Sequence, residues 1–183
     1  MKKILLSSLA ATAFTLSMTA QADTFTYIDY GVGNIDPDKS NPIDDDYSSL
    51  SVAFEVKNGT FVAAESTEYG SLDVIAIGAG IYTPIGRTSS LFGMLQFVEA
   101  DWGNNNDETG YRFTAGLRSP IANRLEVEGK IKYDDVFTQT DSSFAFALRY
   151  YVAENFSVAA NYDIAEINGN DQNAMFASLR LSF

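Results

Sequence analysis

The stretch Arg124 to Tyr133, RLEVEGKIKY, places a charge at every second position: Arg124, Glu126, Glu128, Lys130 and Lys132. Leu125, Val127, Gly129, Ile131 and Tyr133 stand between them. A period of two belongs to an extended strand with one polar and one apolar face. The pattern recurs down the chain. Leu50, Val52, Phe54 and Val56 alternate with small or charged residues, as do Tyr111, Phe113, Ala115 and Leu117. Phe144, Phe146, Leu148 and Tyr150 follow the same rule, and so do Val158, Ala160, Tyr162 and Ile164. A chain written this way folds as antiparallel sheet. Which face looks inward separates two very different molecules. In a soluble sandwich the apolar face is the core; in a membrane barrel it meets lipid, and the charges share a lumen.

The ends of the chain point to the second. Lys2 and Lys3 precede the apolar run ILLSSLAATAFTLSMTA, which closes on Ala20-Gln21-Ala22. A basic start, a short apolar stretch and an A-x-A site are the parts of a cleaved secretory signal. The expected organisation is therefore a signal peptide at 1–22 and a single domain at 23–183. Cleavage removes two lysines and leaves 10 basic against 24 acidic residues, a net charge of −14. That balance argues against nucleic acid, whose phosphates are neutralised by Lys and Arg. At the other end, Met175, Ala177, Leu179, Leu181 and Phe183 share one face, with an aromatic residue last. No other apolar run is long enough for a membrane helix.

Strands are expected near 24–33, 47–57, 60–67, 73–83, 90–99, 110–118, 123–133, 142–151, 155–165 and 173–183. Ten is an even number, as single-chain bacterial barrels require. The fold class is thus all-β, a transmembrane antiparallel up-and-down β-barrel of ten strands, with eight as the alternative. The links 58–59, 83–90, 119–123 and 152–155 read as turns. Between them come the polar links 34–46, 66–72, 100–109, 134–141 and 166–172, the pattern of short periplasmic turns and long extracellular loops. One local choice fixes register. A two-residue I′ turn at Asn58-Gly59 would point Glu65 into lipid, whereas a three-residue loop with a bulge at Gly59 turns it to the lumen. A carboxylate in hydrocarbon is costly, so the bulge is expected.

An export signal, ten alternating strands, the first strand FTYIDYGVGNID and the terminal RLSF together resemble small porin-family outer-membrane β-barrels of the OmpX/Ail-like group. The resemblance implies residence in the cell outer membrane of a Gram-negative envelope, among lipid and lipopolysaccharide. It also implies that Phe183 is an assembly signal read by the barrel-assembly machinery through the C-terminal strand. Its members include adhesins, small pores and lipid-modifying enzymes, and it carries no catalytic residue onto this chain.

The chain has no histidine and no cysteine. Ser-His-Asp and Cys-His nucleophile systems are excluded, as are zinc sites of the usual kind. The expectation is a non-enzymatic protein with no cofactor and no dedicated metal site. IGAGIY at 77–82 lacks the third glycine of a dinucleotide fingerprint; Gly78 and Gly80 are read instead as relieving crowding in a strand. The sequons at 58–60 and 155–157 fall on turns and read as turn chemistry.

The lumen is the most chemical feature. Arg149 should lie opposite Glu126 or Glu128, with Arg112, Arg118 and Lys130 nearby. Buried charges must be paired or hydrated, so these six form a compensated structural network that plugs the lumen. A gate or selectivity lining for a narrow pore is the functional alternative. Asp36, Asp38, Asp44, Asp45 and Asp46 make loop 34–46 acidic, without the order of an EF-hand. Their clustered oxygens suit diffuse Ca²⁺ or Mg²⁺ bridging to lipopolysaccharide. Tyr30, Tyr47, Tyr82, Trp102, Tyr111 and Tyr133 are read as interfacial girdle residues.

Overall fold

The computed structural model describes residues 25–37, 46–86, 88–102, 107–136, 140–167 and 170–183. The signal segment 1–22 and residues 38–45 of the acidic loop lie outside them. Ten antiparallel strands close into one barrel. They are β1 (Tyr27–Pro37), β2 (Asp46–Lys57), β3 (Thr60–Tyr69), β4 (Leu72–Ile85) and β5 (Ser89–Asp101). The circuit continues through β6 (Asp107–Ala122), β7 (Leu125–Asp135), β8 (Asp141–Tyr151), β9 (Phe156–Ile167) and β10 (Asn170–Ser182). Each strand pairs with its neighbours in sequence, and β1 closes on β10 from Tyr27↔Ser182 to Pro37↔Gln172. Phe183 follows the last strand, and its N–H donates to the Thr26 carbonyl at 3.0 Å. Closure leaves no unpaired sheet edge, the condition for a sheet to stand in hydrocarbon.

Alternation sorts the side chains as a membrane barrel requires. Ile77, Ile81, Leu95, Phe97, Phe113, Ile131, Phe144, Phe146 and Leu179 project outward and are exposed. Glu126, Glu128, Lys132, Arg112, Arg118, Arg149 and Arg180 point inward and are buried. The polarity is the reverse of a soluble protein's, and the exposed face is an apolar belt of the kind a membrane barrel presents to lipid.

The register at the β2–β3 hairpin follows from one glycine. Pairing shifts by one residue between Glu55 and Lys57, and Gly59 adopts φ 81° while Asn58 does not enter positive φ. A I′ turn needs both central residues there, so the link is the bulged one. Glu65 accordingly faces the lumen, where it meets Lys132 and Arg112.

The connections depart from expectation. The link expected at 66–72 shrinks to Gly70-Ser71, because Glu68↔Asp73 and Tyr69↔Leu72 continue the ladder. The link expected at 166–172 shrinks to residues 168–169, with Asn170 paired to Ile167. At 119–123 the strand runs through Ala122, and the turn moves to Asn123-Arg124, where Arg124 takes φ 67°. Polar residues beyond the apolar belt look like loop in sequence, yet pairing there satisfies backbone groups as well as water does. Phe25, Phe183 and the strand ends at Lys57, Ile85, Ala122 and Tyr151 define one end of the barrel, the terminal end. The opposite strand ends define the distal end.

Candidate functional site

The lumen is built in three layers. At the terminal end lies an aromatic lid. Phe25, just ahead of β1, stacks between Phe61 of β3 (ring centroids 4.6 Å apart) and Tyr82 of β4 (4.4 Å), with Phe92 of β5 edge-on at 5.5 Å. The Arg118 guanidinium sits 4.6 Å from the Phe25 ring centre, and Arg180 lies 3.9 Å from that of Tyr27. Glycines make the room: a Cβ on Gly116 would strike the Phe92 ring, and one on Gly80 the Phe61 ring.

At the distal end lies a second apolar lid, from Ile35, Tyr47, Tyr69, Leu72, Val74, Val98 and Val136 with Phe176 and Trp102 against it. Tyr47 stacks on Phe176 at 4.3 Å and meets Tyr69 edge-on. This placement corrects the expected girdle. Tyr30, Tyr111 and Tyr133 do face outward, but Tyr47 and Tyr82 point into the lumen and Trp102 packs on the distal lid. Their strand parity fixes the outcome: Tyr47 shares a face with Ser49 and Ser51, and Tyr82 with Gly78 and Gly80.

Between the lids is a charged waist in which six cations meet a set of buried and half-buried carboxylates. On the terminal side Asp29 accepts from Arg180 Nε at 2.7 Å and from Arg149 Nη2 at 2.8 Å. Arg118 is 2.7 Å from Glu128 and 3.7 Å from Glu126, while Lys130 Nζ reaches Glu128 at 3.2 Å. Tyr151 donates to Glu126 at 3.0 Å, and Arg149 to Ser157 at 3.2 Å. On the distal side Arg112 donates to both oxygens of Asp134 at 2.6 and 3.1 Å. Glu65 receives Lys132 at 3.3 Å and stands 3.6 Å from Arg112. Asp163 on β9 and Asp141 at the start of β8 are buried carboxylates as well. Burial of so much charge is tolerable because each of the six cations has a carboxylate partner, although Arg149 Nε, Arg180 Nη1 and Glu126 Oε1 make no hydrogen bond to protein.

The six lumen residues expected from sequence therefore all point inward, but not as one group. Glu126 lies directly across from Arg149 in the sheet, though the ions are 3.9 Å apart. Arg118, Glu126, Glu128, Lys130 and Arg149 share the terminal-side cluster, whereas Arg112 belongs to the distal one. Asp29 and Arg180, central to the first cluster, were not anticipated, nor was Asp134. Each stands at an inward position of its strand and could have been found by parity alone.

A chamber of about 70 Å³ remains at the centre, bordered by Phe25, Glu65, Gln96, Thr114, Lys130 and Asp163 among others. Gln96 is buried with neither amide atom hydrogen-bonded to protein, and the Thr114 hydroxyl is likewise without a protein partner. Polar atoms at such depth are satisfied by water, and the space admits a few molecules. Among the described residues no group of three or more acidic side chains is disposed to hold a metal ion.

No protein-family model matches the sequence, and no curated protein matches it. Solved structures do. The barrel is similar to the KdgM porin at TM-score 0.55 and 11% identity, covering 86% of this chain and 99% of that one. The same porin has been solved in complex with disordered oligogalacturonate. The NanC porin matches at TM-score 0.54 and 11% identity, covering 85% of this chain and 99% of that one. At such identity the likeness is one of fold: a closed, up-and-down β-barrel like that of these two porins.

Proposed function

We propose that this is a non-enzymatic outer-membrane barrel whose lumen is closed, contributing to envelope structure or to surface interaction through its distal hairpins. The carrying observation is the layered lumen: two apolar lids around an ion-paired waist with a chamber of about 70 Å³. The inverted polarity supports lipid as the immediate partner, with lipopolysaccharide on the distal side and the barrel-assembly machinery engaging the C-terminal strand and the Phe183 that follows it. Export through a cleaved signal at 1–22 completes the route. Kinship with the OmpX/Ail-like group rests on the sequence pattern. Absence of histidine and cysteine supports a role without catalysis or cofactor. Purified protein in planar bilayers tests the closed lumen: the expected record is a flat baseline, and stable, reproducible conductance steps would overturn it.

A second reading is a small pore. It is favoured by the fold likeness to porins and by a waist lined with both signs of charge. A pore should keep its conductance when the distal hairpins are shortened, whereas a surface-binding protein should keep its silence and lose its partner.

A further inference from the structure

The two lids differ in how they are held. Every residue of the distal lid named above that lies in β1 to β5, from Ile35 to Val98, belongs to a strand paired on both sides. Moving one of them means breaking a ladder. At the terminal lid, Phe61, Tyr82 and Phe92 are held in the same way. Phe25 is not: it precedes β1 and takes part in no strand pairing. Its ring is 2% exposed, borders the chamber, and is retained by side-chain contacts with Phe61, Tyr82, Phe92 and Arg118. The first fastening to the sheet comes one residue later. Thr26 Oγ1 accepts from the Glu55 N–H at 3.0 Å, and the Thr26 carbonyl from Phe183.

We propose that Phe25 is a removable stopper, hinged at Thr26, through which the central chamber opens to solvent at the terminal end while the distal lid stays shut. Rotation ahead of Thr26 withdraws the ring without breaking a single inter-strand hydrogen bond. Arg118 gives the open state somewhere to go, because its ion pair with Glu128 at 2.7 Å survives loss of the ring. The chamber behind it already presents the Gln96 amide and the Thr114 hydroxyl to whatever polar molecule arrives. The stopper has meaning only on a lumen that is otherwise closed, so it rests on the reading proposed above.

The chain has no cysteine, so a single reporter is unambiguous. Ala147→Cys places a thiol on the chamber wall, and its modification by methyl methanethiosulfonate is followed by mass spectrometry on folded protein in detergent. Adding Phe25→Ala should raise the labelling rate at least tenfold. Phe25→Tyr keeps a ring in place and should label within about twofold of the parent, and so should Leu72→Ala in the distal lid. Fast labelling of the parent itself would overturn the closed lumen and the stopper together. A parent that resists labelling, with Phe25→Ala no faster, would overturn the stopper alone, as would Leu72→Ala opening the chamber equally. Heat-modified gel mobility identifies the folded fraction, and labelling is scored on that fraction only, so a poorly folding variant does not mimic opening.

Discussion

The two sides of the waist hold similar charges by different means. On the terminal side three arginines interlock with three carboxylates, and Arg149 and Glu126 are almost wholly buried. On the distal side the pairing relies on Lys132 and a single arginine, and the Glu65 and Asp134 side chains retain 18% and 17% exposure. A guanidinium fork is planar and can serve two carboxylates at fixed angles; an ammonium is a compact, well-hydrated point charge. The terminal cluster is therefore a lock in which loss of one member strands the others. The distal cluster is a looser arrangement that water can repair.

Breaking the lock should give the largest effect. Arg149→Ala breaks the buried pair with Asp29 at 2.8 Å and takes one of the two guanidinium forks from that carboxylate, and urea unfolding in detergent should show a loss of about 3–5 kcal/mol. Asp29→Ala added to it should recover more than Glu126→Ala does, because Asp29 is the partner at 2.8 Å and Glu126 stands at 3.9 Å. Strict additivity with both would mean that the lock is not a unit. Ile131→Arg probes the outer face of neighbouring β7, where the residue is exposed; in a bilayer a charge there should cost about 2–4 kcal/mol near the midplane. The distal cluster should respond less. Lys132→Ala leaves Glu65 with Arg112 and the Thr67 hydroxyl, so the expected loss is about 1.5 kcal/mol. A loss as large as that of Arg149→Ala would abolish the distinction between the two sides. Gln96→Leu, which removes an amide with no protein partner, should change stability by no more than about 1 kcal/mol in either direction.

Much of this arrangement was legible before any coordinate. The alternation in RLEVEGKIKY fixes which residues share a face, and the cost of Glu65 in lipid selects the bulge at Gly59 that the register displays. Ten strands follow from the same period. The apolar lids were not legible, because alternation says only that two faces differ. Where an inward position carries Tyr47, Leu72 or Val98, an apolar residue is indistinguishable from one facing lipid. Nor could sequence bring Asp29 to Arg149: they sit on strands separated around the barrel, and only its closure and stagger make them meet. Strand ends were misjudged for a related reason. Glu68 and Asp73 are polar enough for a loop, but nothing in their chemistry forbids one more rung.

The contact between Asp29 and Arg180 spans 151 positions of sequence and straddles the line where β1 meets β10. Neighbouring strands can zip as local hairpins, whereas this pair forms only once the two ends of the chain have been brought together, the most entropically demanding step of a closed sheet. A contact that locks only after the ends have met leaves the folding rate alone and slows escape from the native basin. Asp29→Asn should therefore leave refolding into micelles unchanged and shorten the native lifetime, so that Asp29 acts on how long the barrel persists and not on how fast it forms.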